Sequence, residues 1–410
     1  MAYTSAQNLD HFDEALKIDY LPVIRDQLDN GTILMNKIRR NERDVSGKRW
    51  QITTHIGRNS GLGSGAEEGA LPTAGYQDYA NPYGNVKYIR GRIQVSGPTI
   101  AASRDDRGAM IRALESEMKG ITADLKKEVN YQFFNDGTAV RCLVNGDPGT
   151  GTTLTVDTPG TMYLWDGMKI DIYGSEDADG ALNDTAVAIT TVDSSTQCTM
   201  GEALDTAIDD NDYIVRSGAG YDAGSTVGSY EMMGLKGIID DNTYVDTLHN
   251  ISRTTYAYWK CSTCSTDSNG GTKRDITLDL IQAGLTSVEK NGLGKTNLIL
   301  SDHSLRDAYA ALVVADKRYV NTMTLDGGWL ALEYNGIPWV ADADCPPNTV
   351  FFVDTNHLEI MQMSDWNWMD RDGAVLSRVS GYDAYEAVLY WYADLTTDAP
   401  KAHAFLRDVQ

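Results

Sequence analysis

Residues whose types and spacing could do chemistry recur along this 410-residue sequence, and each set has a plainer role to set against it. Gly292-Leu-Gly-Lys-Thr-Asn297 has the form of the end of a phosphate-binding loop, where glycines let backbone N–H groups approach a phosphate and a lysine meets its charge. The complete pattern needs another glycine five residues before Gly294, and Glu289 stands there with the wrong charge. A helix C-cap and turn is the expectation. Ser301-Asp302-His303 holds the residue types of a hydrolytic triad, but such groups must converge from separate elements, and no G-x-S-x-G elbow occurs. Ser301 or Asp302 is read as the N-cap of the helix that follows.

Cys261-Ser-Thr-Cys264 has zinc or redox spacing. A structural zinc needs four ligands, there is no second such pair, and His249 or Cys345 could join only through the fold, so a reduced loop pair is expected. Asp177-Ala-Asp179-Gly180 resembles the middle of a calcium loop, yet Ser175 occupies its first ligand position and Ala186 its twelfth. Asp209-Asp210-Asn211-Asp212 lacks the glycine turn, so both acidic stretches are read as solvated turns. No HExxH occurs, and the histidines at 11, 55, 249, 303, 357 and 403 are dispersed. No catalytic, cofactor-binding or metal residue is assigned, and no cofactor is expected.

The elements that carry these residues are set out by composition. With 35 Lys and Arg against 58 Asp and Glu, the net charge of −23 argues against a protein whose task is to grip phosphate backbones. That charge is uneven: residues 1–140 balance, whereas 141–230 hold 15 acidic residues and only Arg141, Lys169 and Arg216 as basic ones. No secretory leader is visible, and the longest apolar run, Ala387–Ala393, is far short of a membrane span. Five scattered cysteines make no disulfide framework, so a soluble protein made inside a cell is expected, and its sequons at Asn30, Asn183 and Asn250 carry little weight.

Residues 1–49 read as an extended arm with short amphipathic helices around Leu16, Tyr20, Leu21, Ile24 and Leu28, then a basic cluster of Lys37, Arg39, Arg40, Arg43, Lys48 and Arg49. Trp50–Ile56 and Val86–Val95 alternate like strands around a glycine-rich stretch, which predicts a long hairpin of a kind that serves a lid, a binding site or another subunit. From about Arg104 to Phe134, the steps Ile111, Leu114, Met118, Ile121, Leu125, Val129 and Phe133 predict one long helix, with Ser103 as N-cap and Asn135-Asp136-Gly137 as stop. Short Thr- and Gly-rich strands over 141–230 predict a small β-barrel or sandwich. Helices at Asp279–Lys290 and His303–Ala315 then alternate with strands at 297–300, 336–340 and 349–354, an α+β pattern, and 374–379 and 385–394 return to strand.

This order of elements resembles the major capsid proteins of tailed bacteriophages, the Hong Kong 97-type fold. The resemblance rests on Leu16–Arg49 as N-terminal arm, Trp50–Gly97 as extended loop, Ser103–Gly137 as spine helix and Gly234-Leu-Lys-Gly-Ile-Ile239 as the start of an axial domain. Asn297–Ala315, Gly336–Val340 and Val350–Asp354 look like that domain's helix and sheet. It implies an α+β Hong Kong 97-like fold divided into an N-terminal arm (1–49), extended loop (50–98), spine helix of a peripheral domain (99–140), β-rich insertion (141–230), axial domain (231–360) and return strands of the peripheral domain with the C-terminus (361–410).

The implied function is a virion shell of hexamers and pentamers around double-stranded DNA, bound without sequence specificity, made in the cytoplasm of a host bacterium and involving no membrane. Implied partners are further copies of the chain, a portal, a separate scaffolding protein because the arm starts almost at Met1, and a decoration protein if the insertion receives one. Lys87 lies far from the hairpin tip, so the lysine–asparagine crosslink of some family members is not expected. An encapsulin-like compartment shares the fold, and a cytosolic α/β enzyme with a β-rich accessory domain is the alternative from another class.

Overall fold

The computed structural model describes residues 33–410 apart from 68, 98–106, 175–181, 221–228, 262–271, 293, 316–321, 325–329 and 371–374. Strand Ala384–Thr397 organises the first sheet, because alternate residues Ala387, Leu389, Trp391, Ala393 and Leu395 turn inward and are buried. Along one edge it pairs with Lys87–Ser96 in an unbroken antiparallel register from Ala384 opposite Ser96 to Ala393 opposite Lys87. Along the other it pairs with Leu358–Trp368, through two register shifts. Arg39–Asn41 adds parallel to that strand, so this part of the expected arm is stitched into the sheet. The helices expected over Leu16–Leu28 lie outside the described residues.

The long helix runs Arg107–Phe134 and, at 1.5 Å per residue, spans roughly 42 Å. Its expected N-cap, Ser103, lies outside the described residues. Met118, Leu125, Val129 and Phe133 are buried with Ile89, Ile93, Leu389 and Trp391 of the sheet in one core. The helix packs tightly on the sheet at Gly91: a Cβ there would stand 2.6 Å from Leu125 Cδ1 and 2.9 Å from Ile121 Cγ1. Trp366 stacks on Trp391 at 4.7 Å, and Phe133 meets Trp391 edge-on.

Directly after the helix the chain forms a barrel. Its strands lie in the order Val140–Leu143, Tyr213–Arg216, Lys169–Tyr173, Leu182–Ser194, Gln197–Met200 and Thr153–Thr155. The first and last are joined by a Val144–Val156 bridge, with Asn145 N to Thr155 O and Asp157 N to Leu143 O each at 2.9 Å, so the sheet closes on itself. Inside are Val144, Leu154, Ile170, Ile172, Val187, Ile189, Cys198 and Ile214, a core separate from the first.

A second six-stranded sheet orders Thr322–Thr324, Leu330–Tyr334, Ile337–Ala341, Leu298–Ser301, Val350–Val353 and Ala404–Leu406, with only the 337–341 and 298–301 pair parallel. Helix Leu278–Ser287, capped by Thr277 accepting from Leu280 N at 3.3 Å, and helix His303–Ala315 belong with one face, where Ile281, Leu285, Leu305 and Tyr309 cluster with Ile299, Trp339 and Phe352. On the opposite face Phe351 stacks on Phe405 at 4.7 Å and meets Phe134 at 6.1 Å, which joins this sheet to the main core.

Local differences from the expected pattern have local causes. The expected strand 50–56 is two strands, Arg49–Gln51 and Thr54–Gly57. Asp279–Lys290 is a helix only to Ser287, where a π-turn over Val288–Gly292 ends it. Of the described residues 375–379 only Ser377–Arg378 pairs as strand. Filling the space at Gly91 should push the helix off the sheet: G91V is expected to destabilise the fold by about 1–3 kcal/mol, read as a lower denaturant midpoint with unchanged slope.

Candidate functional site

Two regions combine polar groups, burial and exposed apolar surface in ways the fold alone does not require. The first is the hairpin. Arg49–Gln51 pairs with Tyr83–Asn85, and farther out Thr54–Gly57 pairs with Asp78–Ala80. Beyond them Leu62 is 76% exposed and Leu71 91%, with Tyr76 also exposed there and Tyr79 exposed on the outer pair itself. Apolar surface of this kind is worth about 25 cal/mol per Å² when removed from water, so the hairpin carries binding energy that the single chain leaves unused.

The hairpin's root, by contrast, is rigidly held. Trp50 is fully buried with Val86 and Met361, and its Nε1–H donates to Asp394 Oδ2 at 3.0 Å. Its ring meets the His249 ring edge-on at 4.7 Å, and Tyr83 N donates to His249 O at 3.1 Å. Burial raises Asp394 to about 6, against the lowering effects of Lys87 and the Trp50 hydrogen bond. Burial, then the Arg253 charge, holds His249 down at about 3, so its ring is neutral. A cleft of about 580 Å³ opens beside the root, lined by Lys87, Tyr230, Glu231, His249 and Asp394 among others.

The second region is the joint between the long helix and the barrel. Glu128 of the helix takes Arg141 of the first barrel strand at 2.6 Å and Arg216 of another strand at 3.3 Å. The Arg141 guanidinium lies 4.1 Å from the Tyr131 ring centre and 5.5 Å from that of Trp165. Glu231 stands 3.6 Å from the same Arg141, but neither of its carboxylate oxygens accepts a hydrogen bond. Asn130 Nδ2, two residues along the helix, donates to Asp342 at 2.8 Å and Asp344 at 2.6 Å, tying in the loop that follows strand 337–341. Farther on, Lys236 meets Asp136 at 2.8 Å, and the fully buried Arg253 donates to Trp259 O, Val245 O, Gly237 O, Ile238 O and Asp240.

The residues singled out for chemistry occupy structural places. Gly292 and Gly294 lie against the backbone of Lys401 and Ala402, where a Cβ on Gly292 would come 1.8 Å from Lys401 O; close chain approach accounts for the glycines. Ser301 is buried and accepts from Trp339 Nε1 at 2.7 Å. Of the two N-cap candidates it is Asp302 that caps, accepting from Leu305 N at 2.9 Å. Asp212 accepts from Asn183 at 2.9 Å and from Asp209 N at 3.0 Å, which closes that acidic turn internally. Ser175, Asp177, Asp179 and Gly180 lie outside the described residues. Cys261 is disulfide-bonded rather than reduced, a correction to the sequence expectation, and Cys264 lies outside the described residues. Among the described residues no three His, Cys, Asp or Glu side chains converge on a metal-sized site. In the basic cluster, Arg39 pairs with Glu359 at 3.6 Å and Arg40 with Asp365 at 3.3 Å.

Neither the hairpin clamp nor the charged joint was found in the sequence. A signal for the second existed: two of the three basic residues in the acidic block 141–230, Arg141 and Arg216, converge on Glu128.

A model of the SU10 major capsid protein family matches residues 179–410. No curated protein matches the chain. Among solved structures, the capsid asymmetric unit of Cyanophage A-1(L) is similar with a TM-score of 0.56 at 15% identity, over 92% of this chain and 93% of that one. An encapsulin complex from Synechococcus elongatus PCC 7942 gives 0.48 at 8% identity, over 92% and 87%. A structure of Mycobacterium phage Bobi gives 0.45 at 10% identity, over 93% and 91%.

Removing the indole donor tests the clamp. W50F leaves Asp394 short of a buried hydrogen bond and should cost about 1–3 kcal/mol near neutral pH. Because Asp394 titrates near 6, the bond is charge-assisted above that pH and neutral below it, so the loss should be smaller at about pH 5 when denaturant midpoints are compared.

Proposed function

This chain belongs to the SU10 major capsid protein family, and from that premise we propose that its copies assemble as hexamers and pentamers into a closed icosahedral shell around double-stranded DNA. It is a phage major capsid protein with an α+β, Hong Kong 97-type fold. The observation that carries the assembly mechanism is the hairpin: a rigidly rooted arm with Leu62, Leu71, Tyr76 and Tyr79 exposed beyond it. Burying one such side chain on an adjacent copy is worth about 1.5–3 kcal/mol, so four supply a substantial contact before any polar bond is counted.

Charge supports the proposed contents. At −23, a wall of these subunits repels packed phosphates and lets DNA move past it, so the DNA is enclosed without tight or sequence-specific contacts. The arginines at 39 and 40 are paired within the chain with Glu359 and Asp365, which reduces their availability to nucleic acid. The role we assign is structural rather than enzymatic. Synthesis in the bacterial cytoplasm, a separate scaffolding protein, a portal at one vertex and a decoration protein seated on the barrel complete the proposal. Family membership favours a genome container over an encapsulin-like compartment, and it leaves the cytosolic-enzyme alternative without support.

Electron microscopy of the chain expressed alone and with its neighbouring genes tests this reading. Capsomers, sheets or closed shells are expected; a monodisperse particle of 45.0 kDa under every condition would overturn it. Replacing residues 58–76 with a short Gly-Ser turn should leave the circular dichroism of the subunit essentially intact and abolish shells.

A further inference from the structure

Glu231 is 5% exposed and sits at the exit from the barrel, on the boundary between the charged joint and the open cleft beside the hairpin root. The joint does not satisfy it. Arg141 donates to Glu128 at 2.6 Å, Arg216 also pairs with Glu128, and Glu231 is left at 3.6 Å from Arg141 with two buried oxygens that accept no hydrogen bond. A buried carboxylate in that position is costly, and a neutral carboxyl is much less so. The other groups facing it are Tyr131 of the helix and Asp136 just past its end, neither of which supplies a cation. Lys87 lines the same cleft, and its ammonium donates to the carbonyl of Ser229, two residues before Glu231. One side chain therefore borders two settings, one poor in donors and one open to water and near an ammonium.

We propose that Glu231 is a proton-operated catch on the joint between the long helix and the barrel. With a proton it stays beneath Arg141; without one it leaves for the cleft and the joint loosens.

Burial raises Glu231 to about 7, opposed by Arg141 and reinforced by the like charge of Glu128. The closed joint holds the proton more tightly than an open one, where the group returns towards 4.5. Opening is thus most suppressed below about pH 4.5, grows by at most about tenfold per pH unit up to about 7, and levels off above that. The joint tightens in acid and relaxes towards neutrality, the opposite of a carboxylate stabilised by a salt bridge.

Amide hydrogen exchange on the full chain at residues 128–135 and 229–235, wild type against E231Q at matched pH, tests the catch, since the intrinsic pH dependence of exchange and the titration of Asp394 are common to both chains. The wild-type-to-variant rate ratio should rise more than about tenfold between about pH 5 and 7.5. E128Q frees Arg141 for Glu231 and should move the wild-type transition to lower pH, flattening the profile in that interval; it carries the test if E231Q does not fold. A ratio that stays constant across the interval, or an E128Q profile matching wild type, overturns the proposal.

Discussion

The Glu128–Arg141 ion pair, 2.6 Å long and buried on both sides, is the interaction on which the arrangement of the modules depends. It lies in the last two turns of the long helix, where three bodies meet. Phe133 faces the first sheet through Trp391, Phe134 faces the second through Phe351, and Glu128 with Tyr131 receives the barrel through Arg141. Removing one partner of such a pair leaves an uncompensated buried charge, typically worth about 3–5 kcal/mol, far more than a surface salt bridge. The barrel, which has its own core, is oriented by these few polar contacts rather than by a continuous apolar interface.

A division of labour between apolar and polar groups follows. Extended register and aromatic packing make each sheet stiff, and polar bonds at the edges set how the stiff parts meet. Trp50 and Asp394 do for the hairpin what Glu128 and Arg141 do for the barrel. The hairpin's bond ends on a carboxyl that burial makes hard to ionise in place, so that attachment responds to proton concentration.

Much of the fold was legible because periodicity is a local property. The seven apolar residues from Ile111 to Phe133, three or four apart, mark a helix without knowledge of any partner, and His303–Ala315 is helical over the span its pattern predicts. Strand Lys87–Ser96 shows its alternation plainly, since one face is solvent-exposed. Leu358–Trp368 was harder to see: it bends through two register shifts, and polar Gln362 and Ser364 interrupt its pattern. Arg39–Asn41 is a strand only because a neighbour offers an edge, although its own residues are among the least strand-like in the chain. The candidate site was least legible, because Trp50 and Asp394 are separated by most of the sequence and no spacing rule connects them.

The barrel begins and ends on neighbouring strands, Val140–Leu143 beside Tyr213–Arg216, so the chain leaves the module next to where it entered. Paired strands lie about 4.8 Å apart, a gap that any closed module with adjacent termini can bridge. The barrel and the frame that carries it can therefore diverge at different rates. A lineage can lengthen, recharge or exchange the module in response to an environment or a host, while helix and sheets keep the geometry that every other copy must recognise.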